Sequence, residues 1–232
     1  MSLAKKDSIV LLSAGLDSTV NFYAAKLETN IKLAITFDYG QKAAKKEIEC
    51  ARAIADSHKV KHQVVELPWL KNLGSSSLTS DATKVPTGKN ISIDNQKVSE
   101  STARAVWVPN RNGVFLNIAA SYAESIKAEI LVPGFNREEA ATFPDNSLDF
   151  IRACRKSFIY STATQVEIQC YTITMGKTEI VELGKKLLVP FDKIWPCYQA
   201  NDFWCGECES CQRAKRAFKV SRLDFRHLFE KY

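Results

Sequence analysis

No apolar run in this sequence is long enough to span a bilayer. The segment 1–7 is polar, and the apolar stretch behind it is too short for a secretory leader, so the expected location is the cytoplasm. A Walker A loop is missing too: Gly176-Lys177-Thr178 comes closest, but position 171 is a tyrosine where that loop needs a glycine. Internal repeats and low-complexity tracts are absent, and no separate RNA-binding domain is visible. Charge of neither sign dominates. With 32 Lys+Arg against 26 Asp+Glu, the net charge of +6 suits phosphate-bearing ligands but falls short of an obligate nucleic-acid binder. The cysteines number seven, an odd count with four crowded between Cys197 and Cys211, which argues against a disulfide framework and for a reducing compartment and a metal.

What is present is enough for a sizeable core. The 232 residues are 45% hydrophobic, which suits one α/β domain over 1–190 with a small appendage over 191–232. The chain is organised around SIVLLSAGLDSTVN, residues 8–21. Ile9-Val10-Leu11-Leu12 reads as a strand, breaks at Ser13-Ala14-Gly15-Leu16-Asp17-Ser18, and gives way to an amphipathic helix over about 17–26. A strand, a tight turn and a helix N-terminus together form a seat for phosphate, because the first N–H groups of the helix are unpaired and its dipole is positive there. An ordinary capped helix would read the same way.

Further strands are predicted over 33–37, 62–67, 130–132 and 168–173, with helices between them, which gives a parallel sheet. Its ligand crevice lies beyond the carboxyl ends of the strands, so the 13–18 and 38–41 segments should be neighbours. The stretch 68–103 is rich in Gly, Ser, Thr, Asn and Asp with little periodicity and reads as a lid or binding loop. Residues 137–146 read as another polar loop, and 177–188 as a helix.

The spacing C-x7-C-x2-C-x2-C over Cys197, Cys205, Cys208 and Cys211 gives four thiolates suited to tetrahedral zinc. Gly206 allows the tight turn, and a basic helix follows. Four thiolates leave no open position, so the metal is expected to be structural. An iron–sulfur cluster and a redox dithiol at Cys205 and Cys208 are the alternatives.

The S-x-G-x-D-S turn resembles the pyrophosphate loop of the N-type ATP pyrophosphatases, usually SGGxDS. Taken with Phe37-Asp38-Tyr39-Gly40-Gln41, Ser76-Ser77-Leu78-Thr79, Val108-Pro109-Asn110-Arg111-Asn112, Lys177, Cys197-Tyr198 and the later cysteines, the chain is similar nearly end to end to one branch of that superfamily, the 7-cyano-7-deazaguanine synthases. The resemblance implies an adenine-nucleotide alpha-hydrolase-like, Rossmann-like fold with a zinc-binding helical appendage. It implies that ATP adenylates 7-carboxy-7-deazaguanine, that ammonia displaces AMP to give an amide, and that a second activation dehydrates the amide to the nitrile preQ0, a queuosine and archaeosine precursor.

By the same resemblance Ser13, Ala14, Gly15, Leu16, Asp17 and Ser18 hold ATP, with Asp17 also near Mg2+. Tyr39 and Gln41 line the adenosine side, and Arg111 and Lys177 counter phosphate charge. Without the resemblance Tyr39 reads as a strand-end aromatic, Arg111 as a brace at a helix start and Lys177 as an exposed first-turn residue. Phe143 would stack on a flat ring, and Glu139 or Asp145 would accept from its N–H groups. The resemblance also implies a homodimer, with no stable nucleic-acid or membrane partner.

Three departures stand out. Ala14 replaces the usual first glycine, which requires ordinary dihedrals there. Lys42 and Ala43 stand where Arg and His commonly follow Tyr-Gly-Gln. Ala141-Thr142-Phe143-Pro144-Asp145-Asn146-Ser147 stands where Ser-Gly-Tyr-Pro-Asp-Cys-Arg is usual, so either another cation, Arg137 or Arg152, replaces the arginine at Ser147, or the substrate differs. The rival readings are a deazapurine-acid ligase using another amine, a tRNA-modifying enzyme sharing the ATP loop, and a nucleic-acid-binding zinc knuckle with the basic tail 213–226.

Overall fold

The structure, a computed structural model, describes residues 4–232; Met1, Ser2 and Leu3, the start of the polar segment read above as no leader, lie outside the described residues. Five parallel strands are arranged in the order β3-β2-β1-β4-β5: β1 Asp7–Leu11, β2 Asn30–Asp38, β3 His62–Glu66, β4 Ile130–Val132 and β5 Glu167–Ile168. The chain winds outward from β1 to β3 and then returns to the other side of β1 for β4. A crevice therefore opens between the ends of β1 and β4, where strand order reverses.

β1 is buried on both faces: Ile9 and Leu131 join a cluster with α4 (Arg111–Ile126), while Val10, Leu12 and Val132 join one with α1 (Leu16–Glu28) and α2 (Ala44–Ser57). A third cluster combines Leu16 and Val20 of α1 with Ile180 and Val181 of α7 (Lys177–Lys186), Phe218 of α8 (Glu209–Val220) and the four late cysteines. Residues beyond 190 thus share a core with the helix that starts at the phosphate-loop candidate. Among the described residues no helix is long and apolar enough to cross a membrane.

Three expectations need correction. The 68–103 stretch is not a free loop. It carries 3-10 turns over Pro68–Asn72 and Gly88–Asn90 and a helix, α3, over Gln96–Val106, and Ser76, Ser77, Leu78 and Thr79 are buried. The amide N–H of Val98 donates to Asn95 Oδ1, which caps α3, and the helix buries Ser99 and Thr102 against Glu209 of α8 beside the small apolar Ala103 and Val106, so half of its buried face is polar and its apolar period is weak in the sequence. β5 stops at Ile168 instead of Ile173, because side chains take over the pairing. The N–H of Tyr171 donates to Asn21 Oδ1, and the Thr172 hydroxyl donates to the Phe135 carbonyl. The predicted polar loop 137–146 holds a short helix, α5 (Arg137–Ala140), and a 3-10 turn over Pro144–Asn146, and it leads into α6 (Leu148–Ser161).

Candidate active site

The turn after β1 is tied by its own hydroxyls. Ser13 and Ser18 hydroxyls lie 3.0 Å apart, the Ser18 hydroxyl donates to the Gly15 carbonyl (3.2 Å), and the Gly15 N–H donates to Ser13 Oγ (3.3 Å). Leu16, Asp17 and Ser18 form the first turn of α1, whose N–H groups have no intrahelical acceptor. Across the crevice, Gly134 follows β4 so closely that a Cβ there would come within 2.6 Å of the Ser18 backbone. Ala14 does not take ordinary dihedrals: its φ is +58°. Such a conformation costs an L-residue about 1–2 kcal/mol. Its buried methyl, among Val10, Leu12 and Phe22, returns about 0.8 kcal/mol. Alanine is tolerated there because the core receives its side chain.

Lys177 is not the exposed first-turn residue of the simpler reading. It is buried, and its ammonium donates to Asp17 Oδ2 and Glu139 Oε1, both at 2.5 Å. Burial raises the Asp17 carboxyl to about 6 against the pull of Lys177, with Glu139 adding to the rise. Burial alone would lower the Lys177 ammonium, but the two carboxylates outweigh it and hold it above its usual value. One cation shared by two carboxylates leaves Asp17 Oδ1 buried without a protein partner.

Tyr39 and Arg111 meet, with the guanidinium donating to the Tyr39 hydroxyl (3.2 Å) and lying 5.6 Å from the ring centre. Arg111 opens α4 behind Asn110, whose φ of +50° makes the turn, as asparagine tolerates. Gln41 lines the cleft and also builds its wall. Its amide is buried, bonded to the Tyr39 N–H, the Phe37 carbonyl and Glu47 Oε2, so it builds the turn that presents Tyr39. Burial raises Glu47 to about 7, opposed by the Gln41 hydrogen bond and Arg111.

The opposite wall carries Glu139, Phe143 and Asp145. Phe143 lies parallel to Trp107 at 7°, with ring centres 6.2 Å apart, and the Asp145 carbonyl accepts from the Asn112 amide (3.4 Å). Every residue expected to meet ATP or the acid, except Ala14, lines one cleft of about 240 Å³, together with Trp107, Glu47, Asn112 and Tyr198. Ala14 contributes its carbonyl, which accepts from the Trp195 N–H (2.7 Å).

At the edge of the cleft, which Cys197 itself lines, Cys197, Cys205, Cys208 and Cys211 are all buried and their sulfurs lie within 4.8 Å of one another. Tetrahedral zinc with thiolates at about 2.3 Å implies S···S separations of roughly 3.8 Å; Cys205 and Cys211 sulfurs are 3.9 Å apart. Backbone N–H groups of Gln199 and Cys205 donate to Cys197 Sγ, and those of Glu207 and Cys208 to Cys205 Sγ. Four buried sulfurs so arranged fit a closed metal site. Gly206 makes its turn at φ +74°, with the Lys231 carbonyl where a Cβ would stand.

A family model described as "Queuosine biosynthesis protein QueC" matches residues 7–222. The chain belongs to the QueC family. A 7-cyano-7-deazaguanine synthase of Bdellovibrio bacteriovorus is 56% identical over 97% of this chain and 98% of its own length. Others are those of Pelotomaculum thermopropionicum (49%, covering 93% and 98%) and Methanosarcina barkeri (46%, covering 91% and 93%).

The departures from the usual QueC pattern now have places. Ser147, where arginine is usual, caps α6: its hydroxyl accepts from the Phe150 N–H (3.1 Å) and donates to the Pro144 carbonyl (2.7 Å). Neither Arg137 nor Arg152 replaces that arginine in the cleft. They pair with Glu179 and Asp149 in exposed positions, and Arg111 is the arginine lining the cleft. Lys42 donates to the carbonyls of Ser77 (2.7 Å), Ser80 (2.5 Å) and Thr83 (3.0 Å), which fastens the 76–83 turn beside Tyr39. Sequence reasoning missed Trp107, Glu47 and Tyr198 as cleft residues. Trp107 adjoins a motif that carries the resemblance and Tyr198 is part of one, while Glu47 carried no signal beyond a helical face.

Proposed function

We propose that this chain makes 7-cyano-7-deazaguanine from 7-carboxy-7-deazaguanine, ammonia and ATP, for queuosine or archaeosine. A carboxylate is a poor electrophile. Transfer of AMP onto it creates a good leaving group, ammonia then displaces AMP to give the amide, and adenylation of the amide oxygen lets AMP depart and the nitrile form. The observation that carries the reading is the position of Lys177. It lies between Asp17 of the turn after β1 and Glu139 of the wall beyond β4, where a triphosphate on one side would meet an acid on the other.

In this reading Ser13, Gly15 and Ser18, with the first N–H groups of α1, hold the β- and γ-phosphates. Arg111 and Lys177 offset the charge developing on pyrophosphate. Tyr39 faces the adenosine, presented by the Gln41 turn, and Phe143 with Trp107 flanks the flat deazapurine, whose N–H groups Asp145 and Glu139 accept. Asp17, with one carboxylate oxygen unpartnered, fits a Mg2+ ion carried by ATP, which would supply positive charge to the phosphates. Zinc suits the four cysteines and would hold the 191–232 subdomain together without touching substrate. We take the protein to be a cytoplasmic homodimer.

One assay tests the reading: mass spectrometry of the product from the deazapurine acid, ATP and ammonium. Nitrile with two AMP per turnover is expected, and Asp17→Ala is expected to cut AMP release by about 10²-fold or more while the fold survives. Amide as the final product would assign the chain to a ligase using a single activation. Absence of AMP in the wild-type reaction, or unchanged turnover in the variant, overturns the assignment.

A further inference from the structure

Lys177 is gripped at both ends by adjacent glutamates. Glu139 takes its ammonium, as described above. Glu138 takes its backbone: the Lys177 N–H, the first of α7 and therefore without an intrahelical acceptor, donates to Glu138 Oε2 at 3.0 Å. The other oxygen of Glu138 is engaged as well. Oε1 accepts from Arg213 Nη1 at 2.5 Å and from Arg216. Arg213 is buried, and its remaining nitrogens donate to Glu209 Oε1 (2.6 Å and 3.2 Å) and Ser99 Oγ (3.2 Å).

These contacts form one continuous path. It begins on α8, two residues after Cys211, crosses Arg213 and Glu138, and ends on the backbone of the residue whose ammonium meets Asp17. Neither Glu138 nor Arg213 lines the cleft, so neither touches substrate. Mutual charge with good geometry is what makes a buried pair directional, and removal of one partner leaves the other uncompensated.

We propose that Glu138 and Arg213 are positioning residues that transmit the seating of the cysteine-bearing helix to Lys177, fixing the start of α7 so that its ammonium stays between Asp17 and Glu139. The cysteine cluster then serves the reacting groups through a mechanical path that does not need to reach them. The kinetic part rests on the function proposed above, whereas the exchange part does not.

The experiment uses the full chain in its metal-loaded form, with Glu138→Ala, Arg213→Ala, their double variant and Arg213→Lys. The measurements are amide exchange at Lys177, metal content, and kcat and KM for ATP and the acid. Lys177 exchange is expected to accelerate at least tenfold in both alanine variants with metal retained. Turnover is expected to fall 10- to 100-fold in kcat with KM for ATP within threefold, to fall no further in the double variant, and to recover in part in Arg213→Lys. Unchanged Lys177 exchange in Arg213→Ala, or losses that multiply in the double variant, overturns the proposal. Should Arg213→Ala shed its metal, Arg213→Lys decides: faster exchange with metal in place supports the path, and wild-type exchange overturns it. A wild-type enzyme that makes no nitrile would defeat the function and leave the exchange result standing.

Discussion

At the scale of single residues, the cleft concentrates acids in excess of cations. Asp17, Glu139, Asp145 and Glu47 line it with Lys177 and Arg111, and burial raises Asp17 to about 6 and Glu47 to about 7. A carboxyl raised in the folded protein binds a proton that the unfolded chain has released, so stability declines as pH rises through that interval. For Glu47, which faces Gln41, Arg111 and Asp38, the interval runs from its ordinary 4.5 to about 7. Glu47→Gln keeps an acceptor for the Gln41 amide and removes the buried charge. It should therefore stabilise the protein by about 2 kcal/mol at pH 8, with the difference vanishing below pH ~4. Urea midpoints at the two pH values check this, and equal gains at both would show that ionisation is not the cause. Arg111, Lys177, Phe143 and Asp145 were named only through the family resemblance, and all four line the one cleft. The bonding of Gln41 was not legible, since residue type alone does not tell whether an amide meets a ligand or the backbone two residues away.

At the scale of elements, strands surrounded by apolar neighbours were readable to the residue, as with β4 over Ile130–Val132. α3 was invisible for the opposite reason. Its buried Ser99 and Thr102 answer Glu209 of a helix more than a hundred residues later, a match that no local period records. The 76–83 turn shows how a side chain does the work of regular structure. Three of its carbonyls converge on the Lys42 ammonium, which replaces hydrogen bonds that a strand or helix would supply. Lys42→Met should preserve the aliphatic stem and lose the three donors. At about 1.4 kcal/mol of lost closing energy, amide exchange over 76–83 should rise roughly tenfold with the sheet unaffected. Exchange at the wild-type rate would show that burial of Leu78 and its neighbours suffices.

At the scale of the whole molecule, the cysteine site is built into the main core. Cys197, Cys205, Cys208 and Cys211 share a cluster with Leu16, Val20, Ile180 and Phe218, so a metal bound there would brace the floor under the turn after β1. Cys208→Ser should lose the metal and on the order of 3 kcal/mol of stability together, lowering Tm by roughly 6–12 °C for a chain of this size. Elemental analysis and calorimetry on the same sample test it, and a variant that is metal-free yet as stable as wild type would show the cluster to be dispensable. The closeness of Gly134 to Ser18 has a different kind of consequence. Because no side chain fits between β4 and the start of α1, this wall of the cleft can hardly drift, whereas the facing wall hangs on short helical turns ending at the Ser147 cap. A library built to recruit new acids should spend its diversity at Trp107, Phe143 and Asp145, and should leave the glycine untouched.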